Sequence, residues 1–166
     1  MHDNYGHGSR RRLGRDLQTA PAATVAIRHR PPLRRRLVTD WKQDFGLLET
    51  LVKGGLCMSG MYDLKPVRLS ARSKYANFTD EIEQAMSPQR QLDLLRAPVI
   101  VTFGTNETPE FQRQSRDFAA AVKAAGKPVE LIVAENYNHF ETEESLGNPY
   151  GPNGRAALAL MKLAPA

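Results

Sequence analysis

Cysteine is almost missing from this 166-residue chain: Cys57 stands alone, which excludes an internal disulfide and suits a reducing cytosol. No apolar run approaches the roughly 18 residues that a membrane span needs. Nor does the N-terminus hold an apolar stretch of roughly 7–15 residues of the kind that marks a secretory signal. The expectation is a cytoplasmic chain without a membrane partner. Lysine is absent from residues 1–37, which carry nine Arg and two Asp, a net +7. Residues 38–166 carry seven Arg, seven Lys and sixteen acids, a net −2. The overall charge of +5 therefore describes one segment, and it gives no reason to expect a nucleic-acid partner for the rest.

Aromatic residues are missing from 7–37, and so is any helical or strand periodicity. Of those 31 residues, 18 are Arg, Ala, Pro or Gly, with prolines at 21, 31 and 32. Three readings stand: a basic arm that follows phosphates, a transit peptide spoiled by its prolines, or GC-rich coding DNA read in a wrong frame. The last is favoured. Two domains of organisation follow: an irregular Arg-rich segment at 1–37 and a folded part at 38–166.

What is present is organised around residues 97–140. An apolar run, Pro98-Val99-Ile100-Val101-Thr102-Phe103, breaks at Gly104 and places Glu107 in the next turn. Thr108 as N-cap, Pro109, and Glu110 in the first turn start a helix that ends before Gly126. Phe111, Phe118, Val122 and Ala125 share one face of it. A second apolar run, Val129-Glu130-Leu131-Ile132-Val133, leads into a polar loop, Asn136-Tyr137-Asn138-His139-Phe140. A further buried strand is expected at 54–58. Thr79 is expected to cap a helix over Asp80 to Met86, Ser87-Pro88 to start the next element, and Asn153 to cap a last helix. Strand, helix, strand, helix in this order predicts an α/β fold with a parallel sheet. Glu107 and His139 then emerge at the carboxyl edge of that sheet, where ligands of such folds bind.

A buried-type strand before each of the two residues singles them out as the acid and the histidine of a hydrolytic triad, in that chain order. Glu110 is the weaker acid because it lies within the helix. No serine completes the set. Ser59 precedes a glycine, but Cys57 and Met61 flank it where a nucleophile elbow has Gly-x-Ser-x-Gly, and Ser9 has no strand before it. Cys57 reads as a small buried apolar residue. No Cys/His cluster suggests a metal, and no Gly-rich loop follows a strand to hold a phosphate, so no cofactor is expected.

Several motifs in order resemble one family. Ser59-Gly60-Met61-Tyr62-Asp63-Leu64-Lys65-Pro66, Ser87-Pro88, Gly104-Thr105-Asn106-Glu107-Thr108-Pro109-Glu110-Phe111-Gln112-Arg113-Gln114 and Asn138-His139-Phe140 are similar to the C-terminal third of an α/β-hydrolase. The resemblance covers about residues 38–163 and is nearest to the arylformamidase (kynurenine formamidase) group and its esterase/lipase-like relatives. It implies a partial α/β-hydrolase fold, its C-terminal parallel strands flanked by helices and its N-terminal part missing. It also implies Glu107 and His139 as catalytic residues, and a small formamide or ester as substrate, N-formylkynurenine in the formamidases. Alternatives are a carboxylesterase of the same fold, or a non-catalytic domain with a basic arm. The oligomeric state stays open, a homo-oligomer included.

Family members carry a Gly-His-Ser-Ala-Gly-Gly elbow shortly before the segment matching Thr39-Asp40-Trp41. Met1-His2-Asp3-Asn4-Tyr5-Gly6 resembles the helix end that precedes that elbow. Both ends of residues 1–40 are thus in register while the middle is not, which a pair of compensating frameshifts would produce. On this reading the coding DNA for codons 7–37 yields Gly-x-Ser-x-Gly in another frame; sequencing that finds it in neither alternative frame would refute the frameshift.

Overall fold

The computed structural model describes residues 38–71, 73 and 78–163, together with the backbone of 24–27. Four parallel strands lie in the order β1 (Thr24–Ile27), β2 (Gly54–Met58), β3 (Val99–Gly104) and β4 (Val129–Ala134). The strands expected at 54–58, 98–103 and 129–133 are present to within a residue. Strand β1 corrects the reading of 1–37 as wholly irregular. Thr-Val-Ala-Ile is four residues long, too short to show alternation, and a strand in a parallel sheet needs none. The rest of that segment, including the positions where an elbow is expected, lies outside the described residues.

Strands β2 and β3 are buried along their whole length, as a parallel sheet covered on both faces requires. Side-chain alternation divides their residues between two cores. On one face Cys57, Val99 and Val101 pack with Phe118, Ala119 and Val122 of the long helix α4 (Pro109–Ala124). On the other, Leu56, Met58 and Ile100 pack with Ala156, Ala157 and Leu160 of α6 (Pro152–Leu160). Strand β4 is an outer strand, and its Leu131 and Val133 remain exposed.

Local sequence explains most element ends. Thr79 caps α3 (Asp80–Met86) by accepting from the Ile82 N–H, and Pro88 opens a 3₁₀ turn, Pro88–Arg90. Helix α4 ends where Gly126 takes a φ of +69°, although Thr108 makes no side-chain cap bond at its start. Two short helices precede these: α1 (Trp41–Phe45), capped by Asp40, and α2 (Lys65–Leu69), with a proline in its first turn.

Two expectations are corrected. Asn153 lies within α6 rather than capping it; Gly151 is the N-cap, and Asn153 is buried with its amide donating to the Thr142 carbonyl. The polar loop at 136–140 turns helical at its end, because Asn138 caps α5 (His139–Glu144). The Asn138 side chain accepts from Phe140 and Glu141, and the Glu141 carboxylate accepts from the Asn138 N–H. That is a reciprocal capping box.

Buried Glu83 on α3 ties α2, α3 and the loop after β2 together. It accepts from Arg68 and from Arg90 Nη2, and Arg90 also reaches Asp63 at 2.9 Å. The Arg68 bond holds the Glu83 carboxyl below the usual carboxylate range, with Arg90 acting in the same sense.

Two outcomes are expected. Phe118→Ala, which removes a 2%-exposed ring stacked on Tyr62 at 4.1 Å, costs roughly 3–5 kcal/mol in chemical denaturation. Because the folded value of Glu83 is depressed, its contribution is complete above the ordinary glutamate pKa of about 4.3 and is lost as pH falls through the lower folded value. The denaturation midpoint of Glu83→Gln therefore lies below that of the parent chain at pH 6, and the gap narrows below pH ~4.

Candidate active site

Register sets the site. Gly104 pairs with Ala134, so β3 and β4 end level and the turns that follow them leave the sheet together. Backbone bonds join the turns: Thr105 N–H donates to the Ala134 carbonyl at 3.1 Å, and Asn106 N–H to the Tyr137 carbonyl at 3.0 Å. The Thr105 hydroxyl accepts from Asn136 N–H at 2.8 Å, where Asn136 has a φ of +64°. A Cβ on Gly104 would lie 2.1 Å from the Tyr137 carbonyl oxygen, so no other residue fits there without moving backbone.

The first of these turns carries Glu107 and the second leads into His139. The Glu107 side chain is wholly buried, and its Oε2 lies 3.0 Å from His139 Nδ1. Its Oε1 accepts from the Gly104 N–H at 2.7 Å and from the Ser59 hydroxyl at 2.5 Å. An ionised carboxylate only accepts, so a neutral imidazole bonded to it would carry its proton on Nδ1 and its lone pair on Nε2. Phe111, one turn into α4, stacks on the imidazole with centroids 4.6 Å apart, and Phe140 meets it edge-on at 5.7 Å. The imidazole itself is 26% exposed. A buried acid orienting a partly exposed histidine is equipped to take a proton from a nucleophile and return it to a leaving group.

The structure thus brings Glu107 and His139 together at the carboxyl end of the sheet. Glu110 is elsewhere engaged, accepting from Arg113 and Gln114. Cys57 is buried, and burial pushes its thiol up to about 12, as expected of an inert core residue. Among the described residues no group of three or more His, Cys, Asp or Glu could hold a metal ion, and no helix is long and apolar enough to cross a membrane. Two contributors escaped the sequence reading. The flanks of Ser59 exclude it as an elbow nucleophile and say nothing of its hydroxyl, which is turned onto Glu107. The helix start at His139 was readable, since Asn138 and Glu141 have capping-box spacing.

No protein-family profile matches the chain. Kynurenine formamidase of Danio rerio is 30% identical over 115 residues, which is 66% of this chain and 39% of that protein. Kynurenine formamidase of Salmo salar is 31% identical over 116 residues, with the same two shares. This chain therefore spans about two fifths of the length of the curated relatives it matches. Among solved structures, a Silicibacter sp. protein assigned as a thioesterase superposes with a TM-score of 0.71 at 18% identity, over 89% of this chain and 54% of that one. That level of identity speaks for the fold alone. The four-stranded parallel sheet, the helices on its two faces and these likenesses agree: the chain is part of an α/β-hydrolase fold and resembles the kynurenine formamidases.

Proposed function

We propose that this chain is the acid- and histidine-bearing part of a serine hydrolase of the arylformamidase kind, acting on N-formylkynurenine to give kynurenine and formate. The observation that supports this best is the 3.0 Å contact between Glu107 Oε2 and His139 Nδ1 at the carboxyl end of the parallel sheet. The match to two fish kynurenine formamidases points to the formamide substrate.

In this reading a serine attacks the formyl carbonyl while His139 Nε2 accepts its proton. The carboxylate of Glu107 stabilises the imidazolium that results, without itself being protonated. His139 then returns the proton to the leaving aniline nitrogen, and the formyl-enzyme is hydrolysed by water activated in the same way. Ser59 does not supply the nucleophile, because its O–H is given to the carboxylate. In this reading the elbow serine and the oxyanion donors have no assigned residues, and the chain as written is expected to have little or no activity.

Formate release from N-formylkynurenine is the test. The purified chain is expected to stay at background, and a chain supplied with an N-terminal part bearing Gly-x-Ser-x-Gly to gain activity. In that restored chain His139→Ala lowers kcat by roughly 10³-fold or more. Activity in the unextended chain that disappears with His139→Ala would show that it holds a nucleophile after all.

A further inference from the structure

Ser59 touches the acid yet takes no part in the proton transfers assigned to His139. Its N–H donates to the Thr102 carbonyl at 2.8 Å, which carries the β2–β3 pairing one step beyond Met58. There the chain takes a φ of +46° and leaves the sheet. A side chain in this left-handed region carries a backbone strain that glycine would not incur. The residue is also fully buried, so its hydroxyl must find a partner or lose the solvation it had in water. Both demands are met by one bond, the 2.5 Å donation to Glu107 Oε1.

We propose that Ser59 is the positioning residue of the acid: with the Gly104 amide it fixes Oε1, turns Oε2 toward His139, and so holds the imidazole with its proton on Nδ1. This rests on the acid–histidine reading above. The terminal torsion of a glutamate is broad and roughly two-fold, so a carboxylate held by one donor at its end can swing. Two donors converging on one oxygen, from β2 and from β3, stop that rotation and leave the second oxygen a single direction in which to accept. Hydrogen bonds to an anion are also about twice as strong as neutral ones, which suits a lock of this kind.

The segment that carries Ser59 is itself fixed to the helix that follows the acid. Gln114, 1% exposed on α4, accepts through Oε1 from the N–H groups of Tyr62 at 2.7 Å and Asp63 at 2.9 Å. The Tyr62 ring stacks on Phe118 of the same helix. Ser59 and Glu107 therefore come from segments tied to one helix, and the serine reaches the carboxylate without needing a mobile loop.

The test reads the ring nitrogens of His139 by ¹⁵N NMR in the full 166-residue chain, above the pH range in which the imidazole titrates. The two shifts report which nitrogen carries the proton. The parent chain is expected to show the Nδ1–H form, and Ser59→Ala and Ser59→Gly each to raise the Nε2–H population roughly threefold or more. Glycine has no backbone cost at this φ, so that variant reports the loss of the hydroxyl even where alanine impairs folding. Ser115→Ala removes another fully buried hydroxyl, one without a hydrogen-bond partner, and leaves the tautomer unchanged. A folded Ser59 variant with the parent tautomer overturns the proposal. If Glu107→Ala then shifts the tautomer, only the positioning role has failed. If Glu107→Ala also leaves it in place, the acid–histidine reading has failed with it.

Discussion

A carboxylate removed from water must be surrounded by donors or it will not stay ionised, and the burial of Glu107 places that demand on the surrounding backbone. One donor is the amide at the end of β3, one a hydroxyl at the end of β2, and one a ring from the segment after β4. Three strand ends must therefore stop at matching heights. They do, because Met58 pairs with Thr102 and Gly104 with Ala134, a register fixed by the two apolar cores on either face of the sheet. Packing of residues such as Val101 and Leu56 thus determines where the acid's partners arrive.

The second buried acid offers a contrast. Glu83 is neutralised by two guanidinium groups that themselves bridge to Asp63 and Asp80, so its charge is spent on joining segments. Glu107 has neutral donors on one oxygen and a histidine on the other. No permanent cation cancels it within that set of bonds, so its charge remains able to respond when the imidazole gains a proton. Similar burial gives one carboxylate an architectural task and leaves the other suited to chemistry.

Much of this was legible from residue order. Pro109 and Gly126 bracket the long helix, Thr79 announces α3, and two apolar runs mark the strands that present Glu107 and His139. The misreadings have definite physical sources. Strand β1 is too short for its pattern to stand out amid arginine and proline. The residue type of Asn153 favours caps, but proline at 152 already begins the helix and leaves the asparagine to bond the Thr142 carbonyl. Ser59 was judged against the single pattern of a nucleophile elbow. The direction of its hydroxyl cannot be read from neighbours in sequence, since its partner lies 48 residues away.

The contact between Gly104 and the Tyr137 carbonyl has a mechanical consequence. With no side chain between them, the turn bearing the acid and the segment leading to the histidine press backbone against backbone, and the Asn106 and Thr105 bonds stitch them on either side. The spacing of the two backbone segments that carry Glu107 and His139 is then held by main chain, while the direction of the carboxylate is left to the donors on Oε1. To separate these two segments, the ends of two strands have to part together. Such an opening belongs to the slow, cooperative motions of a protein, so on faster timescales the two turns move as one part.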